Sequence, residues 1–384
     1  MRAAILDDLA TRDEETGTQR NVVSSGWRTG GGQGEQSRSL MVEAIGARIG
    51  GAPVGAGNPF AHARVIDLAR ERCEVYGART TSMSPSSILE RALATTDFPS
   101  LLGNALNKTL AERYAAFPAG LKRAARASTI KDFRAKMALR LGEAPTLQKV
   151  SELGEYKFGA LADAKETYSL LTYGRIVSIS RQALINDDLQ VFESLALRFA
   201  QSSAEFEAQA LVSLLTSNPV MTEDGVALFH ATHANLGTGG GSALSLTSLS
   251  TARKSMRLMK GLDGVTPINA EPAYLVVPAS LETSAQQLLT QTTPAQADQV
   301  NPFGAGKIRL ICEPRLDAIS STAWYLLADP MLIDGLEYAY LDGLNGPEIF
   351  TEVGFEVDGL AMKCRLDFGA GVLDWRGLYK ANGA

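Results

Sequence analysis

Between Asn186 and Pro219 the chain carries the pattern that most limits how it folds. Asn186-Asp187-Asp188 offers a helix N-cap, with acidic side chains where the positive end of the helix dipole favours them. Phe192, Phe199 and Phe206 then recur every seven residues, with Leu195, Ala196, Ala210 and Leu214 between or beyond them. The spacing predicts one apolar stripe along a helix over 189–216, with the three phenylalanines as its core. Ser217-Asn218-Pro219 ends it, because proline lacks an N–H and fixes φ. At 1.5 Å per residue such a helix runs roughly 40 Å, longer than a small domain is wide.

The residues before this helix read as a ribbon. Residues 156–161 and 166–180 are two strand-like runs around a polar tip, Ala162-Asp163-Ala164-Lys165. Leu171, Tyr173, Val177 and Ile179 share one face at period two. A long hairpin leading directly into a long helix suits an extended building block better than a compact enzyme domain. A second hairpin is signalled near the C-terminus, where residues 349–357 and 360–368 flank Asp358-Gly359. There Leu360, Met362, Cys364, Leu366 and Phe368 face one way, and Lys363, Arg365 and Asp367 the other. Between the long helix and that hairpin, helical and strand-like runs alternate over 221–330, as in a mixed α/β layer.

The N-terminal part is weaker in pattern. Residues 1–35 are polar, with Thr29-Gly30-Gly31-Gly32-Gln33-Gly34 reading as a linker. Short helices are expected over 40–49, 65–76 and 86–94, on flexible joints and without a core of their own. A further helix over 98–117 brings Leu101, Leu102, Ala105, Leu106, Leu110 and Tyr114 near one face. Lys122-Arg123-Ala124-Ala125-Arg126 reads as a solvated helix face, and 130–141 as an extended arm.

The chemistry the chain does not advertise matters as much. With 37 basic and 42 acidic residues the net charge is -5, which argues against gripping nucleic acid through its phosphates. It leaves room for a protein that only encloses nucleic acid. Cys73, Cys312 and Cys364 are far apart and have no metal or redox spacing, which fits a reducing cytoplasm. No apolar run approaches the roughly 20 residues a membrane helix needs, and the N-terminus turns acidic too early for a signal peptide. His230-Ala231-Thr232-His233 is the one arrangement that suggests metal. Its i, i+3 spacing in a loop, with no Glu between, reads as two locally bonded histidines. A metal-dependent hydrolase using His230 and His233 is the corresponding enzyme alternative. The glycine runs at 30–34 and 237–241 lack the Lys and Ser/Thr of a phosphate-binding loop. No catalytic, cofactor-binding or metal residue is therefore assigned, and no enzyme activity is expected.

The run Tyr173-Gly174-Arg175-Ile176-Val177-Ser178-Ile179-Ser180-Arg181-Gln182-Ala183-Leu184-Ile185-Asn186-Asp187-Asp188 resembles tailed-phage major capsid proteins. It looks nearest to the Mu-like major head subunits and the capsid halves of prohead protease–capsid fusions. Leu141-Gly142-Glu143-Ala144-Pro145, Leu214-Leu215-Thr216-Ser217-Asn218-Pro219, Ala227-Leu228-Phe229-His230, Asn301-Pro302-Phe303, Glu313-Pro314-Arg315-Leu316-Asp317-Ala318 and Asp374-Trp375-Arg376-Gly377-Leu378-Tyr379-Lys380 follow in the same order. The likeness covers residues 95 to the C-terminus.

The resemblance implies an α+β subunit of the Hong Kong 97 type. Residues 1–94 would be a leader, linker or scaffold-like segment, and 95–141 an N-terminal arm. Residues 142–180 would form the E-loop hairpin, with Glu155, Tyr156, Lys157, Asp163 and Lys165 as inter-subunit contacts. The P-domain spine helix would span 181–219 on its Phe192, Phe199 and Phe206 core. The A-domain would occupy 220–335, and 336–384 would return to the P-domain. The implied partners are further copies in pentamers and hexamers, a portal, a scaffold and a prohead protease. The shell would enclose double-stranded DNA, in a virion assembled in the bacterial host cytoplasm. An encapsulin-type shell shares the fold and is the nearest alternative.

Overall fold

The computed structural model describes residues 31–50, 54–55, 57–95, 97–117, 120–141, 163–180, 182, 186, 189–290, 307–353 and 359–383. The chain divides into two units. One comprises Met1–Ala105, Ile179–Gln190 and Val353–Leu360; the other comprises Leu106–Ser178, Val191–Glu352 and Ala361–Ala384.

The described part of the first unit is mostly helical: α1 (Gly31–Gly50), α2 (Val65–Val75), α3 (Pro85–Leu93) and the opening turns of α4 (Asp97–Ala116). α3 starts where Ser84 accepts a hydrogen bond from the Ser87 N–H and Pro85 takes the first helical position. α2 and α3, of 11 and 9 residues, are too short to stand alone, and every one of these helices buries a stripe. Met41, Ile45 and Ile49 on α1, Leu68 and Cys73 on α2, Ile88 and Leu89 on α3, and Phe98, Leu101 and Leu102 on α4 are all buried. Arg72 and Asp97 form an ion pair inside this unit. The expectation of a first quarter without a core is corrected: several narrow stripes, none convincing by itself, add up to one.

The second unit contains two larger sheets and a ribbon. The first sheet runs β1-β9-β11-β10, with β4 also paired to β11. Its strands are β1 (Ala125–Ile130), β4 (Leu171–Ser180), β9 (Leu336–Leu341), β10 (Glu348–Val353) and β11 (Gly359–Val372). β1 is parallel to β9, Ala125 opposite Leu336, and β11 is antiparallel to β9, Phe368 opposite Tyr340. β4 lies so close to β11 that a Cβ at Gly174 would stand 2.8 Å from the Cys364 carbonyl oxygen. Only glycine fits there.

The second sheet runs β5-β12-β8-β6-β7. It is made of β5 (Leu236–Gly237), β6 (Pro272–Val277), β7 (Arg309–Cys312), β8 (Trp324–Ala328) and β12 (Leu378–Ala381). Both faces of its centre are buried, so β6 and β8 read as continuous apolar runs. Tyr274, Val276, Tyr325 and Leu327 join one core cluster with Leu211, Val212 and Leu215 of the long helix α5 (Leu189–Ser217). Leu275, Val277, Trp324 and Leu326 join the other, with Leu249, Ala252 and Met256 of α6 (Leu246–Leu258) and Ala285 of α7 (Glu282–Thr290). Trp324 is fully buried and keeps its indole N–H satisfied by the Ser242 carbonyl at 2.9 Å.

Several sequence expectations change here. Asp163, Ala164 and Lys165 are not a hairpin tip. They open strand β3 (Asp163–Tyr168), which pairs antiparallel with β2 (Lys136–Leu141), Leu141 opposite Asp163. The stretch 166–180 is two strands, β3 and β4, rather than one. β3 is hard to recognise because its buried alternate side chains, Glu166 and Tyr168, satisfy polar heads on distant partners, and such a strand imitates a loop. The strand expected over 156–161 lies outside the described residues, as do Glu155, Tyr156 and Lys157. The basic run is not a solvated helix face. Residues 120–124 form a 3-10 turn, Ala125 starts β1, and Lys122 is largely buried. β12 does not rejoin the first sheet but completes the second, beside β5 and β8. The turn that redirects it needs Gly377 at φ +81.

The stripe on α5 is also shifted from its predicted phase. The buried positions are Ala196, Ala200, Ser203, Glu207, Leu211, Val212 and Leu215. Phe199 and Phe206 are half-buried on the flank, and the Phe192 side chain lies outside the described residues. Phe206 packs from the flank on Tyr173 of β4 and Phe368 of β11, whereas the fully buried positions of α5 include the small residues Ala196 and Ala200.

Candidate functional site

Buried acids anchor the ribbon and the long helix. Glu207 sits on α5 with 0% exposure. It accepts from Lys122 Nζ at 2.6 Å, from the Tyr114 hydroxyl at 2.6 and 2.7 Å, and from the Tyr340 hydroxyl at 2.9 Å. Lys122 also donates to both tyrosine oxygens, at 3.0 and 2.8 Å, and lies over the Tyr338 ring at 5.0 Å. One carboxylate thereby joins α4, the 3-10 turn, α5 and β9. Burial first, and then the Glu207 charge, push the Tyr114 and Tyr340 hydroxyls well above the ordinary phenol range. Both stay protonated as donors. A buried charge with every partner in place is tolerated, and removing one partner is costly.

The ribbon has two such roots. Glu337 on β9, 3% exposed, accepts from Lys136 Nζ of β2 and the Tyr168 hydroxyl of β3. Lys136 Nζ also reaches Ser128 Oγ on β1 at 2.7 Å. Glu166 of β3 accepts from the Thr222 N–H at 2.7 Å, the Thr222 hydroxyl at 2.9 Å and the Glu223 N–H at 3.1 Å. The Glu223 side chain then receives Arg376 at 2.8 and 3.1 Å, and Arg376 Nε donates to the Lys260 carbonyl at 2.8 Å. The ribbon is therefore tied to the first sheet through Glu337, and to the loop at Thr222 through Glu166.

Of the predicted contact residues, Lys165 is exposed on β3, next to the buried Glu166 and opposite Leu139 of β2. Asp163 closes the described end of the ribbon, and its side chain lies outside the described residues. Phe206 packs on Tyr173, ring centroids 4.2 Å apart, and on Phe368 at 6.4 Å. Among the described residues, Lys165 shows no contact with Phe199 or Phe206. Glu166, Glu207, Glu337, Lys136 and Arg376 were not singled out from sequence. For Glu207 a signal existed: it stands four residues after Ser203 and four before Leu211, in step with Ala196 and Ala200.

The histidine pair has no free fork of ligand atoms. His233 is buried, with Nε2 2.6 Å from Asp224 Oδ2 and Nδ1 3.1 Å from the Leu228 carbonyl, so both nitrogens are engaged. Its ring stacks on Trp375 at 4.1 Å. His230 Nδ1 accepts from the Thr232 N–H at 3.2 Å. Burial alone would raise the Asp224 carboxyl, but the His233 contact and the Val226 N–H outweigh it and hold it below its ordinary value. Among the described residues no group of three or more His, Cys, Asp or Glu is placed to hold a metal, and no helix is long and apolar enough to cross a membrane.

A long helix, a rooted two-stranded ribbon, one sheet around β11 and another sandwiched between helices define an α+β subunit of the Hong Kong 97 capsid type. Residues 164–381, more than half of the chain, match the family described as phage capsid protein, and the chain belongs to that family. No curated protein matches it in sequence. Among solved structures, a chain of the holo-SrpI encapsulin complex from Synechococcus elongatus is 14% identical, with 70% of this chain and 88% of that one covered at a TM-score of 0.43. A chain from Mycobacterium phage Patience is 14% identical over 76% of this chain and 90% of that one, at 0.45. A capsid chain of Ralstonia phage GP4 is 12% identical over 68% and 87%, at 0.46.

Proposed function

We propose that this chain is the major capsid subunit of a tailed phage or prophage, closing an icosahedral shell of pentamers and hexamers around double-stranded DNA. Its role is structural, without a catalytic step. Portal, scaffold and prohead protease are its assembly partners, in the cytoplasm of a bacterial host. Residues 1–94 are a leader, linker or scaffold-like segment, the linker being of the kind that precedes the capsid half in protease-fused forms.

The observation that carries this reading is the double rooting of the β2–β3 ribbon on Glu337 and Glu166. A ribbon fixed this firmly at its base transmits force to whatever its far end touches, and in a shell that is a neighbouring copy. Net charge of -5 fits a wall that lets enclosed DNA slide rather than stick.

Expression of the full chain, followed by negative-stain microscopy, tests the reading. Closed shells are expected from the wild type. Deleting residues 152–160 should leave a folded subunit that cannot close them. Normal particles from the deletion would remove the ribbon from assembly. Shells that form normally but hold a protein cargo in place of DNA would move the chain to the encapsulin class.

A further inference from the structure

The chain holds two Asn–Gly pairs, Asn345–Gly346 and Asn382–Gly383. Glycine after asparagine leaves the backbone nitrogen unshielded, since no Cβ lies beside it, and so open to bonding with the asparagine side chain. The structure treats the two pairs differently. Asn345 lies in the turn between β9 and β10, which is pinned on either side. The Asp342 N–H donates to the Ile130 carbonyl and the Leu344 N–H to the Leu341 carbonyl, both at 2.9 Å. Further on, the Asn107 side chain holds Ile349 twice, accepting its N–H at 2.6 Å and donating to its carbonyl at 2.8 Å. Between these anchors Asn345 is exposed, and among the described residues no hydrogen bond engages its side chain, its carbonyl or the Gly346 N–H.

The fold itself keeps glycine at 346. Its φ is +144, and a Cβ there would stand 2.9 Å from Tyr114 Cε1. The second pair is held instead. The Asn382 N–H donates to the Gly237 carbonyl at 3.0 Å, and the Asn382 carbonyl accepts the Thr322 hydroxyl at 3.0 Å. The latter bond fixes the peptide plane that carries the Gly383 nitrogen. Turning that nitrogen towards the Asn382 side chain costs hydrogen bonds that the Asn345–Gly346 peptide does not have to break.

We propose that Asn345 is a site of spontaneous amide-to-carboxylate conversion in the folded chain, and that the fold protects Asn382 from the same step. The Gly346 nitrogen bonds to Asn345 Cγ, the Cγ–Nδ2 bond breaks, and the Gly346 proton leaves with that nitrogen as ammonia. Water then opens the resulting succinimide ring. Addition at Cγ gives an aspartyl residue. Addition at the main-chain carbonyl gives the isoaspartyl form, whose backbone runs through Cβ and Cγ. Either product adds one negative charge. The isoaspartyl form also lengthens the main chain by one carbon directly before Gly346, which packs against the ring whose hydroxyl donates to Glu207. The reaction takes only water and needs no second copy, so it does not depend on shell assembly.

Peptide mapping of the full chain tests this. The folded protein is incubated at mildly alkaline pH, which favours the deprotonated attacking nitrogen, and is then cleaved after glutamate. The two pairs fall on separate peptides, 338–348 and 357–384, each with a single asparagine. In the folded chain peptide 338–348 should gain the mass of an NH2-to-OH exchange roughly tenfold faster than 357–384, the margin that the extra hydrogen bonds at Asn382 supply. In urea the two rates should converge. Asn345→Gln should abolish the gain on 338–348 in the folded protein. No gain on 338–348, or one no faster than on 357–384, would overturn the proposal. A gap between the two that persists unchanged in urea would overturn the selection of Asn345 by the fold.

Discussion

The two halves of α5 are held by different physics. From Ala196 to Glu207 the buried face is Ala196, Ala200, Ser203 and Glu207; from Leu211 onward it is Leu211, Val212 and Leu215. The first half centres on one fully buried carboxylate with directed bonds to Lys122, Tyr114 and Tyr340, with Phe206 packed at its flank on Tyr173 and Phe368. The second half joins the apolar cluster below β6 and β8, where burial is non-directional. Directed bonds specify one position and fail abruptly when a partner is lost. Apolar contact supplies adhesion and weakens by degrees.

The sharpest break of this contrast is Glu207→Ala. It leaves the Lys122 ammonium and two phenol hydroxyls without their acceptor, and should cost about 3–5 kcal/mol in denaturant unfolding. Amide exchange should quicken over 194–207 while residues near Leu215 keep their protection. Leu215→Ala should cost about 3 kcal/mol by opening a cavity, with its effect centred on the second half. Equal loosening of both halves by either variant would erase the distinction.

A smaller effect is expected from Ala200→Leu, which forces extra methylenes into a site where the alanine is already fully buried. A loss of about 1–3 kcal/mol should appear in thermal or denaturant unfolding. Full tolerance would mean that this site is not tightly packed.

The smallest effect concerns pH. Burial raises the Cys364 thiol to about 11, a change that a contact with Ser203 only partly opposes. Burial and Glu207 push Tyr114 and Tyr340 in the same direction. A thiol whose folded-state pKa lies above its reference of 9.0 contributes stability below that value, and loses it as pH rises through about 11. Melting temperature should therefore decline as pH climbs from 9 towards 11, and Cys364→Ala should flatten part of that decline. An unchanged profile in the variant would remove Cys364 from the effect.

How much of this was legible in sequence differs along the chain. The length of α5 was, because Asn186 and Pro219 bracket it and a long apolar stripe has few other readings. Its phase was not, since phenylalanine outweighs alanine in any count of apolarity, yet Ala196 and Ala200 are the ones fully buried. The alternation of β11 was visible because Leu360, Met362, Cys364, Leu366 and Phe368 are all buried. β3 was hidden, because the residues it buries, Glu166 and Tyr168, find partners 56 and 169 positions away. The first-unit core was missed for a related reason: it exists only as a sum over several short helices. Local pattern reports apolar faces well, and reports poorly any polar group whose burial is justified by a distant partner.

The most direct test of the central claim is sedimentation velocity of the purified full-length chain at assembly concentrations. Closed particles of megadalton mass, built from the 40.9 kDa subunit, are the predicted result. A single slow boundary at monomer mass, unchanged as concentration rises, would contradict it.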